Sequence, residues 1–352
     1  MSLSLFDDRR LARDVHAAAS RHTGPDQVGA GISRVVAPIV AHDGLSLLAT
    51  DPATGLGLGS FSFWHQYDPE LVSALVMHQY LSGDPRQPAV PALPRTPAVV
   101  VGTDAHGSPE PRLREILTAH GASSGLRLLL RDRHGLWGAL GLLRCEGAAP
   151  FGQDDAQRAA RLVPALVAAL RRYATAGPLC PEVPPLPAGV ITVGSDHRIK
   201  AVSPQARLWL DQWSAHTMPA WAPHTSFVSL SLAARAAARR QDASVPLVCV
   251  PPAVHGRWIT CQGQALDADA AGDVALVIQG ATWDLVLPSL AEWYGITARE
   301  RDVVAQLRIG ASVKQIARRL DLSAYTVNDH LKAVFRKTGA DGRDELVAAI
   351  TR

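Results

Sequence analysis

The stretch TVNDHLKAVFRKTG, residues 326–339, places an amide, an acid and two bases on one side of a predicted helix. Apolar residues recur along it at i, i+4, i+7 and i+8, the spacing of one buried helix face. Asn328, Asp329, Lys332 and Arg336 fall on the opposite side. The core does not need these polar side chains, so they are available to bind a partner outside the fold.

Charge is distributed unevenly along the 352 residues. From Thr297 to the end, 11 Lys and Arg stand against 7 Asp and Glu, an excess of +4. The whole chain carries only +3, so everything before Thr297 carries −1. A positive excess confined to the last sixth of the chain indicates a polyanionic partner for that segment alone.

Local signals divide this segment into four short helices. Two capping boxes, a Ser or Thr followed three residues later by Glu or Gln, start the first two helices at Thr297 and Ser312. Ser323 is expected to cap the third helix and Gly339 to end it. A fourth helix is expected to begin near Asp341. The second and third helices, joined by about three residues, predict a helix-turn-helix whose recognition helix is 323–338.

Residues 296–352 resemble the LuxR-type (GerE-type) four-helix DNA-binding domain. The resemblance rests on ITARERDVV, IGASVKQIARRLDLSAYTVNDHLKAVFRKTGA and RDELV. It implies base reading by Asn328, Asp329 and Lys332. It implies phosphate contacts by Lys314, Ser323, Thr326, Arg336 and Arg343. It implies dimerisation through the last helix, with Leu346, Ala349 and Ile350, and a structural role for Glu300.

Asp329 departs from the family pattern, which often has Lys or another neutral or basic residue at this position. An acid here can accept a hydrogen bond from cytosine N4, or it can repel a nearby phosphate. Both interpretations stay open.

Residues 1–175 alternate helices and strands in an order that resembles a GAF domain, a small-molecule sensing fold. The resemblance is most visible in GLWGALGLLRCEGAAPFGQDDAQRAARLVPALVAALRR. There a strand precedes Phe151 and an acidic helix start, and a single long helix is expected to close the domain. The resemblance implies a sensor or dimerisation role.

A Pro-rich linker is predicted at 176–188, followed by a segment at 189–282 that resembles a PAS domain. Its strand, turn, strand and helix order, with Ser203 as N-cap and Pro204 in the first turn, opens a five-stranded antiparallel sheet. A connecting helix is expected at 283–295. The predicted fold class is multi-domain: two α+β domains followed by an all-α four-helix domain.

Enzyme, metal and nucleotide motifs are weak or missing. HExxH and P-loop patterns do not occur, and GLGLG at 55–59 lies in a strand pattern. Five histidines, His65, His78, His106, His120 and His134, show no metal-ligand spacing with an acid. The expectation is therefore no catalytic residues, no metal and no cofactor. A signalling enzyme with an appended DNA-binding domain is the least supported alternative function.

Two small groups of residues stay ambiguous. Trp64 and Tyr67 could line a ligand pocket, or they could be core or dimer contacts. Cys249 and Cys261 fall on successive predicted strands and could approach as a redox pair, although two buried thiols are the simpler interpretation.

The N-terminus lacks a secretory signal, and no apolar run reaches the length of a membrane span. The expectation is a cytoplasmic protein without a membrane partner. Its expected partners are double-stranded DNA, a second copy of the chain, RNA polymerase and an unidentified small molecule. The alternative is a constitutive DNA-binding dimer whose first two domains serve only dimerisation or protein contacts.

Overall fold

The computed structural model describes the part of the chain given by residues 13–15, 17, 25–68, 70–72, 74–75, 78, 98–102, 111–132, 134–177, 179, 186–215, 221–242, 245–267 and 271–351. Most of the predicted Pro-rich linker, Cys180 and His106 lie outside these residues. Within them the chain forms two antiparallel sheets with helices, followed by a helical C-terminal domain.

The first domain surrounds a five-stranded sheet with strand order β2-β1-β5-β4-β3. Its elements are α1 (Pro25–Val36), β1 (Gly44–Thr50), β2 (Gly57–His65), β3 (Ala98–Gly102), α2 (Pro111–Ala119), β4 (Ala122–Asp132), β5 (Gly135–Cys145), α3 (Gln153–Ala160) and α4 (Val163–Ala174). Apolar residues of β1, β4 and β5 fill its core. Helix α1 packs so closely on β2 that a Cβ at Gly29 would overlap the backbone of Trp64.

The prediction that a single long helix closes the first domain is wrong. The closing segment is two helices, α3 and α4, separated by a turn at Arg161 and Leu162. Pro164 stands in the first turn of α4. It lacks the N–H that would bond the carbonyl of Ala160, and its ring would clash there, so a continuous helix breaks at this point.

The second domain contains a five-stranded sheet of order β7-β6-β10-β9-β8. Its elements are β6 (Gly189–Val193), β7 (Ile199–Val202), α5 (Pro204–Ala215), α6 (Trp221–Arg239), β8 (Leu247–Val250), α7 (Pro252–His255), β9 (Ile259–Ala265) and β10 (Val274–Gly280). As predicted, Ser203 caps α5, its Oγ accepting from the Ala206 N–H at 3.1 Å. Counted within each sheet, both sheets share the strand order second, first, fifth, fourth, third.

Helix α6 was not predicted from the sequence. It packs on β9 at Gly263, where a Cβ would meet Leu230 and Ala234 of the helix at 3.1–3.2 Å. Its many Ala and Ser residues produce no strong apolar periodicity, so the helix is defined by this packing.

Five helices complete the described chain: α8 (Trp283–Tyr294), α9 (Ala298–Arg308), α10 (Val313–Leu320), α11 (Ala324–Thr338) and α12 (Arg343–Thr351). The first agrees with the predicted connecting helix and ends at Gly295, whose φ of 67° suits a glycine C-cap. Helices α9–α12 are the four predicted for the C-terminal domain. None of the helices described is long and apolar enough to cross a membrane.

Candidate nucleic-acid interface

Side-chain caps fix where the C-terminal helices begin. At α9 the Thr297 hydroxyl accepts from the Glu300 N–H at 3.3 Å, and the Glu300 carboxylate accepts from the Thr297 N–H at 2.7 Å. The same reciprocal pair forms at α10 between Ser312 and Gln315. Each cap satisfies N–H groups that a helix start leaves without an intrahelical partner.

The turn between α10 and α11 is three residues long. Asp321 adopts the left-handed conformation, with φ of 53° and ψ of 51°, which Asp tolerates better than most residues. The Leu322 N–H then donates to the Ala317 carbonyl at 2.9 Å and closes α10. Ser323 caps α11 by accepting from the Thr326 N–H at 3.0 Å. This geometry is a helix-turn-helix.

The apolar face of α11 is buried as its spacing predicts. Val327, Leu331 and Val334 are buried against α9 and α10. Ile316 of α10 and Val303 of α9 belong to the same core. This packing fixes which side of α11 faces outward.

The outward side of α11 carries the predicted base-reading residues. Asn328, Asp329 and Lys332 are exposed, and so is Arg336 one turn further on. Among the described residues, neither Lys332 nor Arg336 forms an ion pair. The first turn of α11 contains no acidic residue, so the positive end of its helix dipole is not offset there.

The predicted phosphate-contact residues lie in different settings. Lys314 is exposed in the first turn of α10. The hydroxyls of Ser323 and Thr326 bond each other at 2.8 Å at the start of α11. Arg343, also exposed, donates through Nη2 to the Ala311 carbonyl at 3.2 Å, so its guanidinium is held near the start of α10.

One exposed residue of α11 was not among the predicted site residues. Tyr325 lies in the first turn of α11 with 75% of its surface exposed. Its position off the Val327–Leu331 apolar stripe was the available signal. A large aromatic side chain here stands on the same end of the helix as Asn328.

Glu300 is structural, as the resemblance implied. Only 5% of it is exposed, and its carboxylate also receives Lys337 of α11. Burial on its own would raise the pKa of Glu300, but the hydrogen bonds from Lys337 and the Thr297 N–H outweigh it and lower that pKa. The ionised carboxylate therefore joins α9 to α11.

Residues 295–350 match the family model described as "Bacterial regulatory proteins, luxR family". The C-terminal domain is of the LuxR type. A curated relative, the "Monoamine regulon transcriptional regulator" of Klebsiella aerogenes, is 51% identical over 53 residues, which are 15% of this chain. The chain spans 23% of that relative's length, so the likeness concerns the LuxR-type domain alone.

Two solved structures cover nearly the whole chain at low similarity. Escherichia coli SdiA is 15% identical over 97% of this chain and 98% of its own, with a TM-score of 0.30. SdiA in complex with octanoyl-rac-glycerol is 14% identical over 96% of this chain and 92% of its own, also with a TM-score of 0.30. TM-scores this low carry no information about the two sheet domains.

The last helix of the LuxR-type domain holds the predicted dimerisation residues. Leu346 is buried in the core of the domain, with 1% exposed, and Ala349 is half-buried. The side chain of Ile350 lies outside what the structure describes. Dimerisation through this helix stays a prediction, and Leu346 contributes to the fold of the single chain.

The predicted ligand-pocket residues lie in a packed cluster of the first domain. Tyr67 is buried with Leu71, Leu117 and Leu143, and Trp64 packs against the cluster. Burial raises the pKa of Tyr67 to about 12, and the Ser46 hydroxyl, its hydrogen-bond partner, partly offsets this. A ligand role for this pair stays a prediction.

Cys249 and Cys261 do not face each other. Cys249 pairs with Thr260 across β8 and β9, so Cys261 points to the opposite face of the sheet, and disulfide geometry is unfavourable. Burial raises the pKa of both thiols, that of Cys261 to about 12. Two buried, protonated thiols fit better than a redox pair.

Metal-ligand geometry is not found in the described part of the chain, where no group of three or more His, Cys, Asp and Glu residues could hold an ion. His120 instead contacts Asp68 at 2.5 Å as a single pair. His134 lies 4.0 Å from Glu292 of α8.

Proposed function

We propose that the chain is a DNA-binding transcriptional regulator that acts through its LuxR-type domain. One observation carries the proposal. The buried stripe of α11 leaves Asn328, Asp329, Lys332 and Arg336 exposed on one side of a capped recognition helix. Such a helix fits the major groove, where amide and cationic side chains hydrogen-bond base edges.

Phosphate contacts supply most of the affinity in this proposal, and base contacts supply the sequence preference. Lys314, Arg336, Arg343 and the Ser323–Thr326 pair take the phosphate role. Asn328 and Lys332 read bases. Asp329 either accepts from cytosine N4 or repels a phosphate. Tyr325 is placed to contact DNA at the N-terminal end of the helix.

The two sheet domains are proposed to be a GAF-like domain at 1–175 and a PAS-like domain at 189–282. Five-stranded antiparallel sheets with inserted helices, in one shared strand order, support this assignment. Their proposed role is to bind a small molecule or partner and thereby change the assembly or DNA affinity of a homodimer. The proposed setting is the cytoplasm, where RNA polymerase is a further partner.

A constitutive DNA-binding dimer is the second candidate. The burial of Tyr67, one of the two residues proposed for a pocket, among apolar side chains favours it. In this version the sheet domains mediate only dimerisation or protein contacts. Native mass spectrometry of the full chain purified gently from its own host separates the two, because a bound mass lost on denaturation appears only in the sensor version.

The proposed DNA binding is tested by selecting duplexes from a randomised pool with the full chain. The expected product is an inverted repeat whose half-sites lie about one helical turn, roughly 10 base pairs, apart. Enrichment of no sequence over the starting pool would reject the proposal.

A further inference from the structure

Helix α8 lies between the two sheet domains and contacts both. The Ser289 hydroxyl of α8 donates to Oδ2 of Asp51, which follows β1 in the first domain, at 2.8 Å. Cys249 of β8 in the second domain donates through its thiol to the Leu285 carbonyl of α8 at 3.5 Å. One helix therefore bonds elements far apart in the sequence.

Asp51 is the centre of this arrangement. Its residue is completely buried, and its Oδ2 also accepts from the backbone N–H of Cys249 at 2.8 Å. Its Oδ1 accepts from the Ala53 N–H at 3.0 Å within its own turn. A single carboxyl of the first domain thus bonds the second domain and α8 together. Losing a partner at such a site leaves a buried polar group unsatisfied.

A second set of contacts holds the C-terminal half of α8 on the first domain. The rings of Trp293 and Trp137 meet edge to face at 5.2 Å. Arg171 of α4 lies 4.8 Å over the Trp137 ring and donates to the Trp293 carbonyl at 3.4 Å. Ser289, four residues before Trp293, is one turn away along the same helix.

The first helix of the LuxR-type domain, α9, follows α8 after only three residues, 295–297. Arg308 at the end of α9 pairs with Asp284 in the first turn of α8 at 3.0 Å. Both partners are exposed, so this ion pair is weak by itself. Together with the short connection, it makes the direction of α9 depend on the direction of α8.

We propose that the Asp51–Ser289 contact fixes α8, and with it the LuxR-type domain, relative to the sheet domains, and that signals reaching the first domain change DNA affinity by making or breaking this contact. The inference rests on the proposed function. In a dimer, a fixed α8 holds the second recognition helix near its half-site once the first is bound. The fixed α8 thereby raises the effective concentration of the second recognition helix at its half-site. Releasing α8 weakens binding to a paired site and leaves binding to a single half-site unchanged.

The test compares the wild-type chain with Ser289→Ala. The probes are the duplex that the wild-type chain selects from a random pool and a shortened duplex carrying one half-site. We expect the variant to bind the paired duplex about tenfold more weakly and the half-site duplex with wild-type affinity. Amide exchange in residues 283–294 of the full chain should become about tenfold faster.

Ser231→Ala is the matched control. It also removes a buried serine hydroxyl from a helix, but among the described residues that hydroxyl bonds only the Val228 carbonyl of its own helix, α6. The control should bind both duplexes as the wild-type chain does. Asp51→Asn repeats the test from the other side of the contact, should Ser289→Ala fold poorly.

Three outcomes overturn the inference. Unchanged paired-site affinity in Ser289→Ala would show that the contact does not govern the DNA-binding domain. An equal loss at both duplexes would place the effect inside that domain. An equal paired-site loss in Ser231→Ala would make the effect nonspecific. A wild-type chain that selects no duplex rejects the proposed function itself, which is a distinguishable result.

Discussion

Lys337 Nζ lies 2.6 Å and 2.9 Å from the two carboxylate oxygens of Glu300. The pair joins the start of α9 to the end of α11. Glu300 also completes the capping box of α9 with Thr297, so one buried carboxylate stabilises the start of one helix and the packing of another. The exposed face of α11 depends on this internal contact.

Lys337→Met is expected to destabilise the LuxR-type domain by about 2 kcal/mol, because it leaves a buried carboxylate without its cation. Amide exchange of α9 and α11 in the full chain reports this locally. Arg336→Met, an exposed neighbour, is the control and should change the exchange little. Adding Glu300→Gln to Lys337→Met should recover part of the lost stability, because the buried group is then uncharged. If the stability losses of the two single variants simply add in the double variant, the pairing of Glu300 with Lys337 is contradicted.

Asp51 predicts a pH dependence of stability. Burial raises its pKa to about 6, although hydrogen bonds from Ser289 and the Cys249 N–H partly oppose the shift. The folded chain then holds this proton more tightly than the unfolded chain, where the pKa of Asp is about 4. Stabilisation from this group is complete below about pH 4 and is lost as the pH rises through about 6.

Asp51→Asn removes that titration. The difference in unfolding free energy, wild type minus variant, should therefore fall by on the order of 2–3 kcal/mol between about pH 4 and about pH 8. Denaturant unfolding followed by tryptophan fluorescence measures it. If the unfolding free energies of the wild-type chain and Asp51→Asn change with pH in parallel, the raised pKa of Asp51 is contradicted.

Gly29→Ala tests the packing of α1 on β2. Alanine favours helices, but its Cβ would overlap the Trp64 backbone, so a loss of about 2–3 kcal/mol is expected. Thermal unfolding of the full chain measures it. Gly152→Ala, where a Cβ meets nothing within 4 Å, is the control. Wild-type stability in Gly29→Ala would mean that α1 lies further from the sheet.

The C-terminal domain was predictable because its signals are local. The capping residues Thr297, Ser312 and Ser323 start their helices as expected, and Gly339 ends α11. Each cap acts within three or four residues of its own position. Hydrophobic spacing along α11 likewise separated its buried face from its exposed face.

Contacts between distant segments were not predictable in the same way. Asp51 and Ser289 are 238 positions apart, and neither residue type signals a buried partner. Helix α6 depends on packing against β9, and Pro164 divides a helix whose apolar spacing looks continuous. Tyr325 was not predicted as a site residue, because its exposure depends on how the neighbouring residues pack.

Base reading by α11 is the central claim, and the most direct test compares Lys332→Ala with Lys314→Ala on duplexes that vary one base pair at a time. Lys332→Ala should lose about 1–3 kcal/mol of preference at one position per half-site, with unchanged thermal stability. Lys314→Ala should weaken all duplexes alike and reduce the slope of affinity against salt by about one. Wild-type affinity and base preference in Lys332→Ala would contradict the assignment of α11 as the recognition helix.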